Sequence, residues 1–204
     1  MFASAFVQIR PALIFLLGFT VLTGAVYPAV VTGIAQRVFP TAANGSLING
    51  SGKVVGSELI GQNFASDRYF HGRPSATSAP DPKDATKTVD APYNAANSSG
   101  SNLGPINGKL VERLKADTAS AREQRKAGPI PADAVTTSAS GLDPHISPDN
   151  ARLQIARVAK ARGIPEMKVH DLVDRHVEGR SLGLIGEPRV NVLLLNLDLD
   201  RNNK

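Results

Sequence analysis

Ser140, Asp143 and His145 bring three triad-type side chains into one short stretch. A hydroxyl nucleophile, an imidazole base and a carboxylate to orient it would make a hydrolytic site. The stretch around them, Ser138-Ala139-Ser140-Gly141-Leu142-Asp143-Pro144-His145, has no Gly-x-Ser-x-Gly elbow. Tight-turn chemistry is the preferred reading: Ser140 and Asp143 cap amides, Gly141 takes a positive φ and Pro144 fixes the bend. A membrane-anchored periplasmic hydrolase built on Ser140, Asp143 and His145 is the alternative.

Other chemistries find less to work with. A phosphate loop needs Gly, four residues, Gly-Lys, then Ser or Thr. Gly108-Lys109 is preceded at the required place by Leu103 and followed by Leu110, so the pattern fails twice. The Gly/Ser/Asn stretch ahead of that helix could still hold an anion on free amides. Metal ligands would have to come from His71, His145, His170 and His176, because there is no cysteine. His170 and His176 do not share a helix face, and there is no His-Glu-x-x-His, so no metal site is expected. The net charge of +5 is spread out, without the basic stripe and interleaved aromatics of a nucleic-acid binder.

The elements that must position these residues start with an apolar run. No charge falls between Arg10 and Arg37. Residues 11–35 are read as a membrane-spanning helix, with residues 1–10 as a cytoplasmic tail. As a helix the uncharged stretch would be roughly 39 Å long, enough to cross a bilayer with some tilt. Pro28 should kink or loosen it, and Gly18, Gly24 and Gly33 would let a neighbouring helix approach closely. The apolar run outlasts a signal-peptide core, so the anchor is expected to be retained. The positive-inside balance is nearly even and slightly favours the amino terminus inside and the domain outside.

Residues 36–204 are long enough for one domain, with an aliphatic core because aromatics make up only 5% of the chain. Asn44-Gly45 and Asn49-Gly50 mark turns, and residues 46–57 read as a short hairpin. Residues 64–75 hold an aromatic cluster that either anchors a loop to the core or presents His71 and Arg73 to a partner. Residues 78–92 are rich in Pro, Asp, Lys and Thr and read as an exposed, mobile loop. Helices are expected at about 105–125, 148–162 and 165–177. Ser147 would be an N-cap and Gly163 a C-cap. Residues 129–134 read as a linker, and the Leu/Val-rich residues 190–199 as a last strand. The fold class is α+β.

Several stretches resemble one family. They are Arg10-Pro11-Ala12-Leu13 with its single span, Asn44-Gly45-Ser46-Leu47-Ile48, Gly56 to Phe64, Tyr69-Phe70-His71-Gly72-Arg73-Pro74-Ser75-Ala76, and Tyr93-Asn94. Further along come Ser99 to Leu103, Ser138 to Asp143, Arg157 to Arg162 and Pro188 to Leu197. In this order they resemble the C subunit of the bacterial Kdp-type potassium-transporting P-type ATPase.

The resemblance implies a single-pass subunit of the bacterial inner membrane with a periplasmic domain. Its implied partners are an ATP-hydrolysing P-type subunit, a channel-like potassium-selecting subunit and a small membrane subunit. It implies no catalytic residue and no cofactor of its own. ATP would enter only through the ATPase subunit, whose affinity for it this subunit would raise as a catalytic chaperone, and potassium would be the transported ion. A periplasmic domain would have to act on ATP allosterically, whereas a domain on the inside could touch it. Tyr69, His71, Arg73, Asn94 and Asn102, with little charge nearby to pair them, are expected to face the potassium-selecting subunit.

Overall fold

The structure, a computed structural model, describes residues 2–50, 52–124 and 128–201, with side chains except at 2–6, 85 and 124. It divides into two units, Met1–Leu47 and Ile48–Lys204.

The first unit is helical. α1 (Phe2–Val21) runs into a π-helical turn (Leu22–Val26), then α2 (Tyr27–Val38) and a short α3 (Pro40–Ala43). Pro28 explains the widened turn. It has no amide to give to Gly24, and its ring would crowd that carbonyl in a regular helix. The Tyr27 amide instead reaches back five residues to Leu22 O. Thr23 Oγ1 returns its proton to Phe19 O at 2.6 Å. The span Val7–Val38 has a mean hydropathy of 2.0, buries nothing within the chain, and is long and apolar enough to cross a membrane. The expected loosening at Pro28 is therefore present as a π turn.

The second unit is the α+β domain. β1 (Leu47–Gly50) and β2 (Lys53–Ser57) pair as the expected hairpin, and Ser51 between them lies outside the described residues. β3 (Ser78–Asp81) and β4 (Asp84–Asp90) form a second antiparallel hairpin, Ser78 opposite Asp90, with an irregularity between Pro80 and Asp81. The stretch expected as an exposed, mobile loop over residues 78–92 thus contains a hairpin. The segment is mostly exposed, as expected, and its hairpin is shaped by turn chemistry rather than by burial. Asp81 Oδ1 accepts from Lys83 N at 2.8 Å, and Asp84 Oδ1 accepts from the Thr86 amide and hydroxyl at 3.1 and 2.6 Å.

α4 (Gly108–Gln124) starts later than expected. Asn107 Oδ1 accepts from Lys109 N at 2.9 Å, so the turn at Gly104–Asn107 precedes the helix. The expected end at Arg125 lies outside the described residues. A 3₁₀ turn (Ala132–Ala134) sits in the presumed linker. β5 (His145–Ile146) leads into α5 (Pro148–Arg162). Ser147 Oγ caps its Asn150 amide at 3.1 Å, and Gly163, at φ 67°, ends it. Then come α6 (Glu166–Arg175), β6 (Val177–Glu178), β7 (Arg189–Asn191) and α7 (Val192–Arg201).

α7 overturns the expected last strand over 190–199. Only Arg189–Asn191 pair as strand, in the sheet order β5-β7-β6. Asn191 Oδ1 then accepts from Leu194 N at 3.2 Å and starts a helix. Val192, Leu195, Asn196 and Leu199 recur at three- and four-residue spacing and are all buried. That period is helical, and it outweighs the local alternation of Leu195, Leu197 and Leu199. The core joins α5, α6 and α7 to the small sheet through Ile146, Ile155, Val158, Val169, Val173, Val190 and Leu195, with Phe70 entering from a loop.

Candidate functional site

The residues between 61 and 102 have little regular structure beyond the β3–β4 hairpin. They are held by side chains sent from elsewhere. Phe70 is fully buried, and its amide and carbonyl are both taken by Asn196 of α7 at 2.9 Å. The next residue is held in the same way: Gln154 of α5 accepts from His71 N at 2.8 Å and donates to His71 O at 3.1 Å. Two buried side-chain amides thus stand in for strand neighbours, satisfying backbone groups that could not otherwise be buried. Arg157 adds a third clamp, donating to Tyr69 O at 3.1 Å and Asp67 O at 2.8 Å.

These clamps place the expected contact residues. The Tyr69 hydroxyl donates to Asp200 Oδ2 at 3.0 Å. Arg162 lies 4.9 Å over the Tyr69 ring and pairs with Asp200 at 2.8 Å. His71 shares a hydrogen bond with Ser66 O at 3.1 Å. Burial, helped by the Arg157 charge, pushes the His71 imidazole below its ordinary value, although its own hydrogen bond and Asp67 oppose this.

Arg73 is not short of partners, contrary to expectation. Its guanidinium donates to Asp143 Oδ2 at 3.1 Å, Thr137 O at 3.3 Å and Thr136 Oγ1 at 3.4 Å. The carboxylate that pairs it is far off in sequence, so no local reading could find it. Asn94 is also engaged: its Nδ2 donates to Ser78 O at 2.8 Å and its Oδ1 accepts from Ala96 N at 3.1 Å. Asn102 is exposed and holds a left-handed φ of 49°.

A hydroxyl network extends the same framework. Ser75 Oγ donates to Gly141 O at 2.8 Å and accepts from Tyr93 N at 3.0 Å. Thr77, 1% exposed, donates to Ala91 O at 2.6 Å and accepts from Asn94 N at 3.1 Å. The Tyr93 hydroxyl donates to Arg73 O at 2.8 Å. Burial, with a smaller push from the Asp143 charge, raises that phenol to about 12. A Cβ on Gly72 would run into the Tyr93 hydroxyl, and one on Gly141, at φ 67°, into the Thr77 methyl and Ser99 O. These two glycines are required by close approach. Ser75, Thr77, Asn196 and Gln154 were not singled out from the sequence, where buried polar residues look like surface ones.

The triad residues do not assemble as a triad. Asp143 Oδ1 accepts from the His145 amide at 3.0 Å, and its other oxygen is held by Arg73. The His145 ring lies 3.6 Å from that same Oδ1. Ser140 Oγ accepts from Leu142 N at 3.1 Å, the turn role expected of it, and no hydrogen bond among the described residues joins it to His145. Burial would raise the Asp143 carboxyl. The His145 hydrogen bonds and the Arg73 guanidinium outweigh it and hold the group below the usual carboxylate range.

A cavity of about 220 Å³ lies between α4 and α5, lined by His71, Asp117, Ser120, Asn150 and Gln154 among others. Asn150 and Gln154 are spent on Asp133, His71 and Arg157, whereas Asp117 Oδ2 is buried without a hydrogen-bond partner among the described residues. No cluster of His, Cys, Asp and Glu suited to a metal ion occurs among the described residues.

The polar side chains at the centre of the α+β domain brace its loops, and no hydrogen bond among the described residues joins Ser140 to His145. A family model described as "K+-transporting ATPase, c chain" (KdpC) matches residues 9–201. The chain is 61% identical over 194 residues to the potassium-transporting ATPase KdpC subunit of Bradyrhizobium diazoefficiens, covering 95% of this chain and 96% of that one. It is 59% identical over 193 residues to the subunit of the same name from Methylobacterium nodulans, covering 95% and 96%. A Rhodopseudomonas palustris subunit of that name is 57% identical over 193 residues, covering 95% and 97%. The chain belongs to the KdpC family.

Proposed function

We propose that the chain is a non-catalytic subunit of an ATP-driven potassium-uptake complex, held in the bacterial inner membrane by its single span. The observation that carries this reading is family membership across residues 9–201, anchor and domain together. Its partners are the P-type ATPase subunit, the potassium-selecting subunit and the small membrane subunit. The amino terminus lies in the cytoplasm and the domain in the periplasm. Gly18, Gly24 and Gly33 pack against a partner helix. Among the described residues, nothing beyond the helix's own adjoining backbone lies within 4 Å of a Cβ built on any of them, so these positions are open to a neighbour.

The subunit raises the ATPase subunit's affinity for ATP at a distance, by favouring one of its conformations through the shared membrane interface. Tenfold in affinity corresponds to about 1.4 kcal/mol of coupling. On the domain, Asn102 and His71 face the potassium-selecting subunit, while Tyr69, Arg73 and Asn94 hold that surface in shape. The test is a complex purified with and without this chain. We expect the KM for ATP to rise several-fold without it and to recover on adding it back. An unchanged KM and kcat would overturn the reading. A reporter fused after Lys204 tests the topology, and activity only on the cytoplasmic side would reverse it.

A further inference from the structure

The most exposed aliphatic side chains of the domain include three that lie together in one loop. Leu182 is 91% exposed, Leu184 82% and Ile185 66%. They form the tip of the loop joining β6 to β7. This tip is no loose end. Ser181 and Ile185 are bridged, Ser181 N donating to Ile185 O at 2.9 Å. The Gly183, Leu184 and Ile185 amides return to Arg180 O and Ser181 O at 3.0, 3.2 and 3.0 Å.

Folding does not explain the leucine at its apex. Leu182 sits at φ 54°, a left-handed conformation that glycine or asparagine adopts at less cost. Its side chain buries almost nothing in return. A strained aliphatic residue kept in water contributes nothing to this chain's own core.

The rim of the tip shows what it suits. Arg180 donates to both oxygens of Glu187 at 2.9 and 2.7 Å, and Arg189 donates to Glu178 at 2.9 Å. The charges flanking the tip are thus cancelled in pairs, which leaves no field to complement a charged partner. Several tip amides are already satisfied, so the loop can enter an apolar environment without stranding them. Its turn is held before binding, which lowers the ordering cost of docking.

We infer that the 181–185 tip is a preformed knob that docks into an uncharged, apolar recess on a protein partner subunit of the complex. This rests on the accessory-subunit reading above. The bilayer is the other apolar medium at hand, but the chain already carries a 32-residue membrane span, and a neutral rim lacks the positive charge that draws a loop to anionic lipid.

The chain has no cysteine, so Leu184→Cys introduces its sole thiol. Met167→Cys, on the 70% exposed Met167 of α6, is the control. A membrane-impermeant maleimide is applied to the full chain alone in detergent, alone in lipid nanodiscs, and in the assembled complex. The Leu184→Cys thiol should label readily in the first two and roughly tenfold or more slowly in the third, as expected for a buried anchor. The Met167→Cys thiol should label alike in all three. Equal labelling of Leu184→Cys alone and in the complex would overturn the inference. So would protection in nanodiscs without partners, which would assign the tip to lipid.

Leu182→Gly gives a second reading of opposite sign. It should leave the melting temperature unchanged or raised, because it relieves the left-handed leucine, yet weaken co-purification with the partner subunits. Normal co-purification of that variant would also sink the proposal. Failure of the wild-type chain to co-purify at all would instead overturn the accessory-subunit reading.

Discussion

Asn196 and Phe70 exchange two hydrogen bonds of 2.9 Å, side-chain amide to backbone, at a point where both residues are buried. A helix side chain thereby does the work of a neighbouring strand for a segment with no strand of its own. Asn196→Leu would leave a buried amide and a buried carbonyl unpaired. The expected cost is about 3 kcal/mol, taking roughly 1–3 kcal/mol per orphaned group, read by urea unfolding. A loss below about 1 kcal/mol would mean that this segment does not depend on the clamp.

Arg73→Ala should destabilise the domain by about 1–2 kcal/mol, because it strands the Asp143 carboxylate while solvent screens part of the loss. Arg73→Lys should recover only part of this, since an ammonium cannot reach Asp143, Thr136 and Thr137 together. Thermal melts of the two variants check the order. The same preparations, with His145→Ala, should show no hydrolytic turnover beyond that of buffer. Turnover that vanishes with His145→Ala would restore the hydrolase alternative.

Two groups lose stability in successive steps on the acid side. The folded-state value of His71 lies below 6.5, so its neutral form is the one that fits the fold. Its contribution is complete above pH 6.5 and is lost as the pH falls toward the folded value. Asp143, held below 3.8, contributes fully above that pH and loses its contribution only as the pH falls through its lower folded value. Melting temperature should therefore start to decline on acidification below neutrality, and His71→Gln should flatten that first decline. A slope unchanged by His71→Gln would place it elsewhere.

Gly141→Ala should cost about 2–4 kcal/mol. It combines a left-handed alanine with a clash against Ser99 O and the Thr77 methyl, where backbone and a buried residue leave little room to yield. Gly163→Ala shares the positive φ but has open space, and should cost only about 1 kcal/mol. The difference between the two melts isolates the packing contribution.

The anchor, α5 with its Ser147 and Gly163 caps, α6 and the first hairpin were legible because each is specified by residues near one another. α7 was not. Three alternating leucines at its end favoured a strand, and the helical period emerges only when Val192 is aligned with Asn196 and Leu199. The β3–β4 hairpin was missed because it buries almost nothing, and its signal is the Asp81-Pro82-Lys83-Asp84 turn. In the candidate site, Arg73 looked unpaired because Asp143 lies in a distant segment. Asn196 and Gln154 were overlooked because hydrogen bonds made across the fold leave no local pattern in a sequence.

The π turn ahead of Pro28 gives the anchor a mechanical character of its own. Helix stiffness comes from an unbroken ladder of backbone bonds, and here one rung is missing at Pro28 while the neighbouring ones are lengthened to five residues. Bending strain will collect at Leu22–Val26 rather than spread along the span. The membrane segment therefore behaves as two stiff rods joined by a compliant seam, and a twist applied at one end need not arrive whole at the other.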